Sequence, residues 1–143
     1  MEPILHLSIP VHDLRAARMF YVDVLGCPPG RSRDGWIDVW FYGMQLTLQE
    51  RPDEVDEPGA QGVRHFGVTL GAGDLAAVLA RLDTRPVDWI TEATTEYAGT
   101  PQEQTKAKLH DPSGNVIELK SYADPGAAFE RASAQASSEP AAS

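Results

Sequence analysis

The chain repeats itself, and no other feature restricts its possible folds as much. His6-Leu7-Ser8-Ile9-Pro10-Val11 leads into Asp13-Leu14 and an amphipathic stretch, and His65-Phe66-Gly67-Val68-Thr69-Leu70 leads into Asp74-Leu75 and another. Each half closes on a strand-like segment with a polar residue before leucine, Gln45-Leu46 in the first and Glu118-Leu119 in the second. A duplicated unit holding His, Gln, His and Glu at matching places is explained if the halves pair and these positions converge on one ion. Imidazole nitrogen and carboxylate oxygen suit a divalent transition metal.

Residues 5–11 alternate, with Leu5, Leu7 and Ile9 on one face and His6, Ser8 and Pro10 on the other, the pattern of a strand with one polar face. Asp13 is placed as the N-cap of a helix over 13–25, with Gly26 as its stop. Leu14, Ala17, Phe20, Tyr21, Val24 and Leu25 form its apolar stripe. Residues 28–35 read as a loop with room for a short strand. Residues 36–42 and 44–50 form a hairpin about Gly43, and 51–62, acidic and rich in Pro and Gly, read as a linker. The order then restarts with a strand over 63–70, a helix over 74–82 and a short strand near 87–90. A closing hairpin, 104–110 with 116–122, turns at Asp111-Pro112-Ser113-Gly114-Asn115. The fold class is α+β, a βαβββ unit used twice, with modules at about 4–50 and 63–122. Residues 123–143 are rich in Ala and Ser and are expected to be disordered after a short helix near 127–132.

A length of 143 residues fits one compact domain, or two small halves sharing a core. The net charge of −9 argues against nucleic acid, whose binders present a basic face. The single cysteine, Cys27, excludes an intrachain disulfide framework and fits a reducing compartment. It follows a helix end with no base beside it, so a nucleophilic role is not expected. Neither a secretory leader nor a membrane span is legible, and a cytoplasmic location is expected.

These residues resemble the vicinal oxygen chelate superfamily, which includes glyoxalase I, extradiol dioxygenases, methylmalonyl-CoA epimerase, fosfomycin-resistance transferases and bleomycin-binding proteins. The resemblance covers roughly residues 4–122. It rests on His6-Leu7-Ser8-Ile9-Pro10-Val11-His12-Asp13-Leu14, on Phe20-Tyr21-Val22-Asp23-Val24-Leu25-Gly26, and on Asp111-Pro112-Ser113-Gly114-Asn115-Val116-Ile117-Glu118-Leu119. It implies a half-open, cup-shaped mixed sheet with metal ligands projecting inward, His6 and His65 from first strands and Glu118 from a last strand, with Gln45 at the corresponding place of the first unit. Gln45 stands where glyoxalase I commonly carries an acid, and Lys108 where extradiol dioxygenases carry a catalytic tyrosine. The epimerases use His, Gln, His and Glu as here.

The expectation is a metal-dependent enzyme of the glyoxalase-like lyase or isomerase, or dioxygenase, type. One Fe(II), Mn(II), Ni(II), Co(II) or Zn(II) would be held by His6, His65 and Glu118 with Gln45 assisting. It would chelate a small substrate with vicinal oxygens, stabilising an enediolate or activating dioxygen. Glu118 and Lys108 are the candidate catalytic residues, with a plain Lys108–Glu118 ion pair as the structural alternative. Lys106 and Lys108 lie on one face and form a candidate subsite for an anionic or enolate oxygen. Trp36 and Trp40 are placed as walls of a substrate pocket, and Glu103 and Gln104 near its mouth; His12 and His110 are expected to be exposed. A homodimer is implied. The rival reading is a metal-free protein of the bleomycin-resistance kind that sequesters a cationic drug.

Overall fold

In the computed structural model, which describes residues 1–129, each half of the sequence makes one four-stranded sheet with the same strand order. The first half supplies β1 (His6–Val11), α1 (Leu14–Arg18), β2 (Pro29–Arg33), β3 (Trp36–Phe41) and β4 (Met44–Glu50). The second supplies β5 (Phe66–Leu70), α2 (Ala72–Leu82), β6 (Asp88–Glu96), β7 (Gln104–His110) and β8 (Val116–Tyr122). The orders are β1-β4-β3-β2 and β5-β8-β7-β6. In both, the first strand returns to pair parallel with the last while the other pairs are antiparallel. A parallel pair requires a crossover, which the helix of each half supplies. The result is two open mixed sheets built from βαβββ modules.

Period-two alternation decides which face of each sheet is buried. Ile37, Val39, Phe41, Leu46 and Leu48 of the first sheet and Leu109, Ile117 and Leu119 of the second join one continuous hydrophobic cluster. The rings of Phe41 and Phe66 meet edge to face at 5.3 Å across the two halves. The opposite face of each sheet carries the polar row. Leu5, expected on the apolar side of the first strand, instead precedes β1 and is exposed, because β4 pairing begins at His6.

The turn 111–115 locks the halves together. Buried Asp111 accepts from the Tyr21 hydroxyl at 2.7 Å and from the backbone N–H groups of Ser113 and Asn115 at 2.8 and 2.9 Å. The Asn115 amide donates to the Pro10 carbonyl at 3.1 Å, and the His12 N–H donates to Ser113 Oγ at 2.8 Å. From α2, Arg81 donates to the Val24 and Asp23 carbonyls at 2.9 and 3.0 Å, satisfying groups at the end of the first helical segment.

Three local expectations differ from what forms. The helix predicted over 13–25 is capped by Asp13, whose side chain accepts from the Arg15 N–H, but only 14–18 is α-helical. From Met19 to Val24 it widens into a π-helical turn, with Leu25 N–H donating to the Phe20 carbonyl. The widening falls where Phe20 and Tyr21, both in the expected apolar stripe, pack side by side in the core. The second strand of the second module runs from Asp88 to Glu96, well beyond 87–90, with irregular pairing between Trp89 and Thr94. The short helix expected near 127–132 is a 3-10 segment at Pro125–Phe129, and its remainder lies outside the described residues, as does most of the expected disordered tail.

Burial also sets an alkaline limit. Desolvation pushes the Cys27 thiol from an ordinary 9.0 up to about 12, against a lowering effect of Arg81. Burial likewise raises the Tyr42 hydroxyl to about 12 and, with the Asp111 charge, raises Tyr21 well above its ordinary value. Because the folded state holds these protons more tightly than the unfolded chain, their stabilisation is complete below pH 9 and is lost as pH rises toward 12. Urea midpoints measured across that window are expected to fall steadily. A Cys27→Ala variant is expected to show no fall until the tyrosines begin to titrate, and identical slopes for the two proteins would refute the assignment to Cys27.

Candidate metal centre

On the first sheet the exposed row is built by register. Parallel pairing sets His6 against Gln45 and Ser8 against Thr47, and antiparallel pairing sets Trp40 against Gln45 and Asp38 against Thr47. His6, Gln45 and Trp40 therefore form one line across the face, with Ser8, Thr47 and Asp38 forming the next. His6 Nδ1 lies 3.1 Å from the Gln45 backbone carbonyl, so Nδ1–H donates there and Nε2 keeps its lone pair.

At the centre of this face Asp38 is almost fully buried and satisfied on all sides. Thr47 Oγ1 donates to it at 2.6 Å, Arg31 Nε and Nη2 at 3.1 and 3.0 Å, and Gln45 Nε2 at 3.2 Å. Desolvation alone would raise its carboxyl. The hydrogen bonds from Thr47 and Arg31, the guanidinium charge and the Gln45 amide outweigh that and hold it below the usual range. Gln45 thus has its amide nitrogen committed to Asp38, leaving Oε1 as the atom it can offer a ligand. Trp36 and Trp40 flank Asp38 on the same face, half-buried, with the Arg31 guanidinium 5.4 Å from the Trp36 ring centre.

On the second sheet His65 sits immediately before β5, and Glu118 lies on β8 in register with Gly67. His65 Nδ1 is 2.7 Å from the Val63 carbonyl and its Nε2 is 2.9 Å from Glu118 Oε2. With Nδ1–H given to Val63, Nε2 either donates a proton to the carboxylate oxygen or, unprotonated, faces it as a second acceptor. Only a proton or a cation between them satisfies both. The donor chemistry, one imidazole Nε2 and one carboxylate oxygen, fits a divalent transition metal, and backbone carbonyls fix the ring of each histidine as metal-binding imidazoles require. Glu118 is 12% exposed on its side chain, enough to meet a ligand from the open face.

The structure joins His65 to Glu118 and leaves His6 apart. Among the described residues no group of three or more His, Cys, Asp or Glu side chains comes close enough to hold an ion. Lys108 stands directly across the hairpin from Glu118, yet the carboxylate's ion pair is with His65. Lys106 pairs with Glu96 at 3.2 Å, and that hydrogen bond, with the charges of Glu96 and Glu118, raises its pKa although desolvation opposes. Glu103 is spent on the Gly99 N–H at 2.8 Å. His12 is exposed as expected, whereas His110 is half-buried with Nδ1 3.1 Å from Asp88.

Register also changes one correspondence between the halves. Glu118 pairs with Gly67, two residues after His65, and the residue two after His6 is Ser8, whose partner is Thr47. Thr47, not Gln45, therefore occupies the place of Glu118 in the first module, and Gln45 stands beside His6. Counting from the turn glycines gives the same answer, since Thr47 follows Gly43 and Glu118 follows Gly114 by the same interval.

A family model described as the Glyoxalase/Bleomycin resistance protein/Dioxygenase superfamily matches residues 3–119. The chain belongs to that superfamily. Among solved structures, the glyoxalase/bleomycin resistance protein/dioxygenase from Alicyclobacillus acidocaldarius is 30% identical with a TM-score of 0.78, over 87% of this chain and 95% of that one. A glyoxalase/bleomycin resistance protein/dioxygenase from Nocardioides is 20% identical with a TM-score of 0.64, over 85% and 84% of the two chains. The genomically encoded fosfomycin resistance protein FosX from Listeria monocytogenes is 14% identical with a TM-score of 0.68, over 85% and 93%. The last two likenesses concern the fold alone. No match is found among curated proteins. Members of this superfamily include enzymes and binding proteins that use the same two-module fold, so the fold alone does not set the chemistry. No described helix is long and apolar enough to cross a membrane.

Proposed function

We propose that this superfamily member is a divalent-metal-dependent enzyme of the glyoxalase or dioxygenase type, acting in the cytoplasm on a small substrate with vicinal oxygens. The observation that carries the reading is the His65 Nε2–Glu118 Oε2 pair at 2.9 Å, which sets an imidazole nitrogen and a carboxylate oxygen close enough to share one ion. His6, with Nδ1 tied to a carbonyl in the same way, is the third ligand. Because it stands apart from the pair within one chain, a second copy brings its His6 to this His65 and Glu118, and the working unit is a homodimer. Gln45, beside His6, assists through Oε1. A divalent ion there would supply Lewis-acid stabilisation of charge on adjacent substrate oxygens or, if redox-active, access to dioxygen chemistry. Trp36 and Trp40 would wall the first-sheet side of the substrate. Glu118 and Lys108, opposite one another, would handle protons and charge on the other side.

Elemental analysis of untagged protein purified without chelators tests this. About one equivalent of transition metal per chain is expected, absent from His65→Ala, Glu118→Ala and His6→Ala variants that remain folded. Loss from the His6 variant together with a dimeric mass would support the shared site. Wild type that stays empty after incubation with Fe(II), Mn(II), Ni(II), Co(II) and Zn(II) would overturn the reading and leave the drug-sequestering alternative, whose ligand binding is indifferent to EDTA.

A further inference from the structure

The chain has three lysines, Lys106, Lys108 and Lys120, and all three lie on the open face of the second sheet. Register makes this a patch rather than a coincidence of sequence. Lys106 is set directly against Lys120 on β8 and against Thr94 on β6, while Lys108 is set against Glu118 and Thr91. Like charges facing one another across a sheet are destabilising, and a chain of net charge −9 has every reason to neutralise them. It does so only in part. Glu96 takes Lys106, Glu118 turns to His65, and Lys120 lies 5.8 Å above the Tyr122 ring. Among the described residues, no carboxylate lies within ion-pair distance of Lys108 or Lys120.

The surroundings are concave. One cavity of about 170 Å³ is lined by Thr91, Thr94, Lys106 and Lys108 together with the carboxylates of Glu96 and Glu118. A second of about 240 Å³ is lined by His65, Thr69, Glu118 and Lys120. Glu118 borders both, so the lysines begin where the proposed metal pair ends. Lys106 is held by Glu96 and the Thr94 hydroxyl by the Glu92 carbonyl, but the Lys108 and Lys120 ammonium groups and the Thr91 hydroxyl remain to donate, the complement of a carboxylate or phosphate oxygen.

From this placement we infer that the open face of the second sheet is an anion subsite, and that the substrate carries a carboxylate or phosphate group held by Lys106, Lys108 and Lys120 while its other end reaches His65 and Glu118. The inference deepens the proposed enzymatic reading and rests on it for the reacting end, but the anion subsite itself needs no metal. Glu96 acts as the resident competitor, releasing Lys106 when the ligand's anionic group takes its place. A cationic ligand would be repelled at this face, which separates it from the net charge of the whole chain.

Titration calorimetry at low salt tests the inference, with inorganic phosphate and succinate as probes, on protein as purified and again in EDTA. Saturable binding of at least one probe is expected in both conditions, weakened about tenfold by Lys108→Gln or Lys106→Gln, as loss of one charge-assisted contact implies. Lys120→Gln should weaken it as well. Glu96→Gln should tighten it, and Arg33→Gln, on exposed β2, should leave it unchanged. The tighter probe tells a phosphoryl substrate from a carboxylate one. Absence of saturable binding, or equal affinity across the lysine variants, overturns the subsite. Binding abolished by EDTA overturns it too, since the anion would then belong to the metal. Metal-free protein that still binds phosphate or succinate through the lysines would retain the subsite while the metal reading fails.

Discussion

Asp111→Ala is expected to cost about 3 kcal/mol of folding stability, a large part of the roughly 5–15 kcal/mol typical of a domain. The carboxylate accepts from Tyr21 Oη, from the Ser113 and Asn115 N–H groups, and from Asn115 Nδ2 at 2.8 Å. Alanine leaves these donors buried and without an acceptor, at about 1–3 kcal/mol for each that water cannot reach. Relief from burying the charge offsets part of the loss. Tyr21→Phe removes one donor and leaves the rest of the turn paired, so about 1 kcal/mol is expected. Urea unfolding should show the midpoint shifted with little change in slope. Burial raises the Asp111 carboxyl above its ordinary 3.8 despite the hydrogen bonds from Asn115, Tyr21 and Ser113. A raised folded value adds stability at low pH that is lost as pH rises through it, so the alanine deficit should widen as pH falls toward 3.8. Asp38, held below 3.8, has the opposite sign and loses its contribution in acid. An Asp111→Ala protein as stable as wild type would mean that the turn does not join the modules.

The sheet faces were legible because alternation along a strand is strictly two-residue. His6, Gln45, Glu118 and the lysines of β7 all fall on the faces that the pattern assigns. The same periodicity hides a slip of two, since Gln45 and Thr47 share a face and alternation cannot choose between them. Only the pairing of β1 with β4 shows that Thr47 matches Glu118, although the spacing from Gly43 and Gly114 was a usable signal. Lys120 is hidden in the same way, two residues beyond Glu118 on the same face of β8. The long β6 escaped because it is exposed along most of its length, so burial leaves no apolar rhythm to detect. In the sequence Asp38 is only the residue between two tryptophans of one strand face. Its role as the acceptor for Arg31, Gln45 and Thr47 depends on strands that meet only after folding. What no pattern could supply is the separation of His6 from the His65–Glu118 pair, which depends on how the two modules pack on their shared core.

Gly67→Ala is expected to damage the fold and the site together, whereas the same change at Gly73 should do neither. Gly67 faces Glu118 across the β5–β8 ladder, and a Cβ added there would run into the Glu118 backbone carbonyl. The obstacle is main chain, so no rotamer change relieves it and the two strands must separate or slide. A cost of about 3 kcal/mol is expected, at the upper end of ordinary overpacking. These strands also set the distance between His65, just before β5, and Glu118 on β8, so metal content should fall even in the fraction that remains folded. Gly73 lies in the first turn of α2 with nothing within 4 Å of an added Cβ. There alanine should stabilise by about 0.5–1 kcal/mol, through a less flexible unfolded chain and better helix propensity. Thermal melts and elemental analysis of the two variants side by side decide the matter. Opposite shifts in melting temperature, with metal lost only at Gly67, follow if the close strand approach is what brings the imidazole and the carboxylate together. A Gly67→Ala protein with wild-type stability and full metal would show that the β5–β8 spacing has slack, and that His65 and Glu118 are positioned by something other than this ladder.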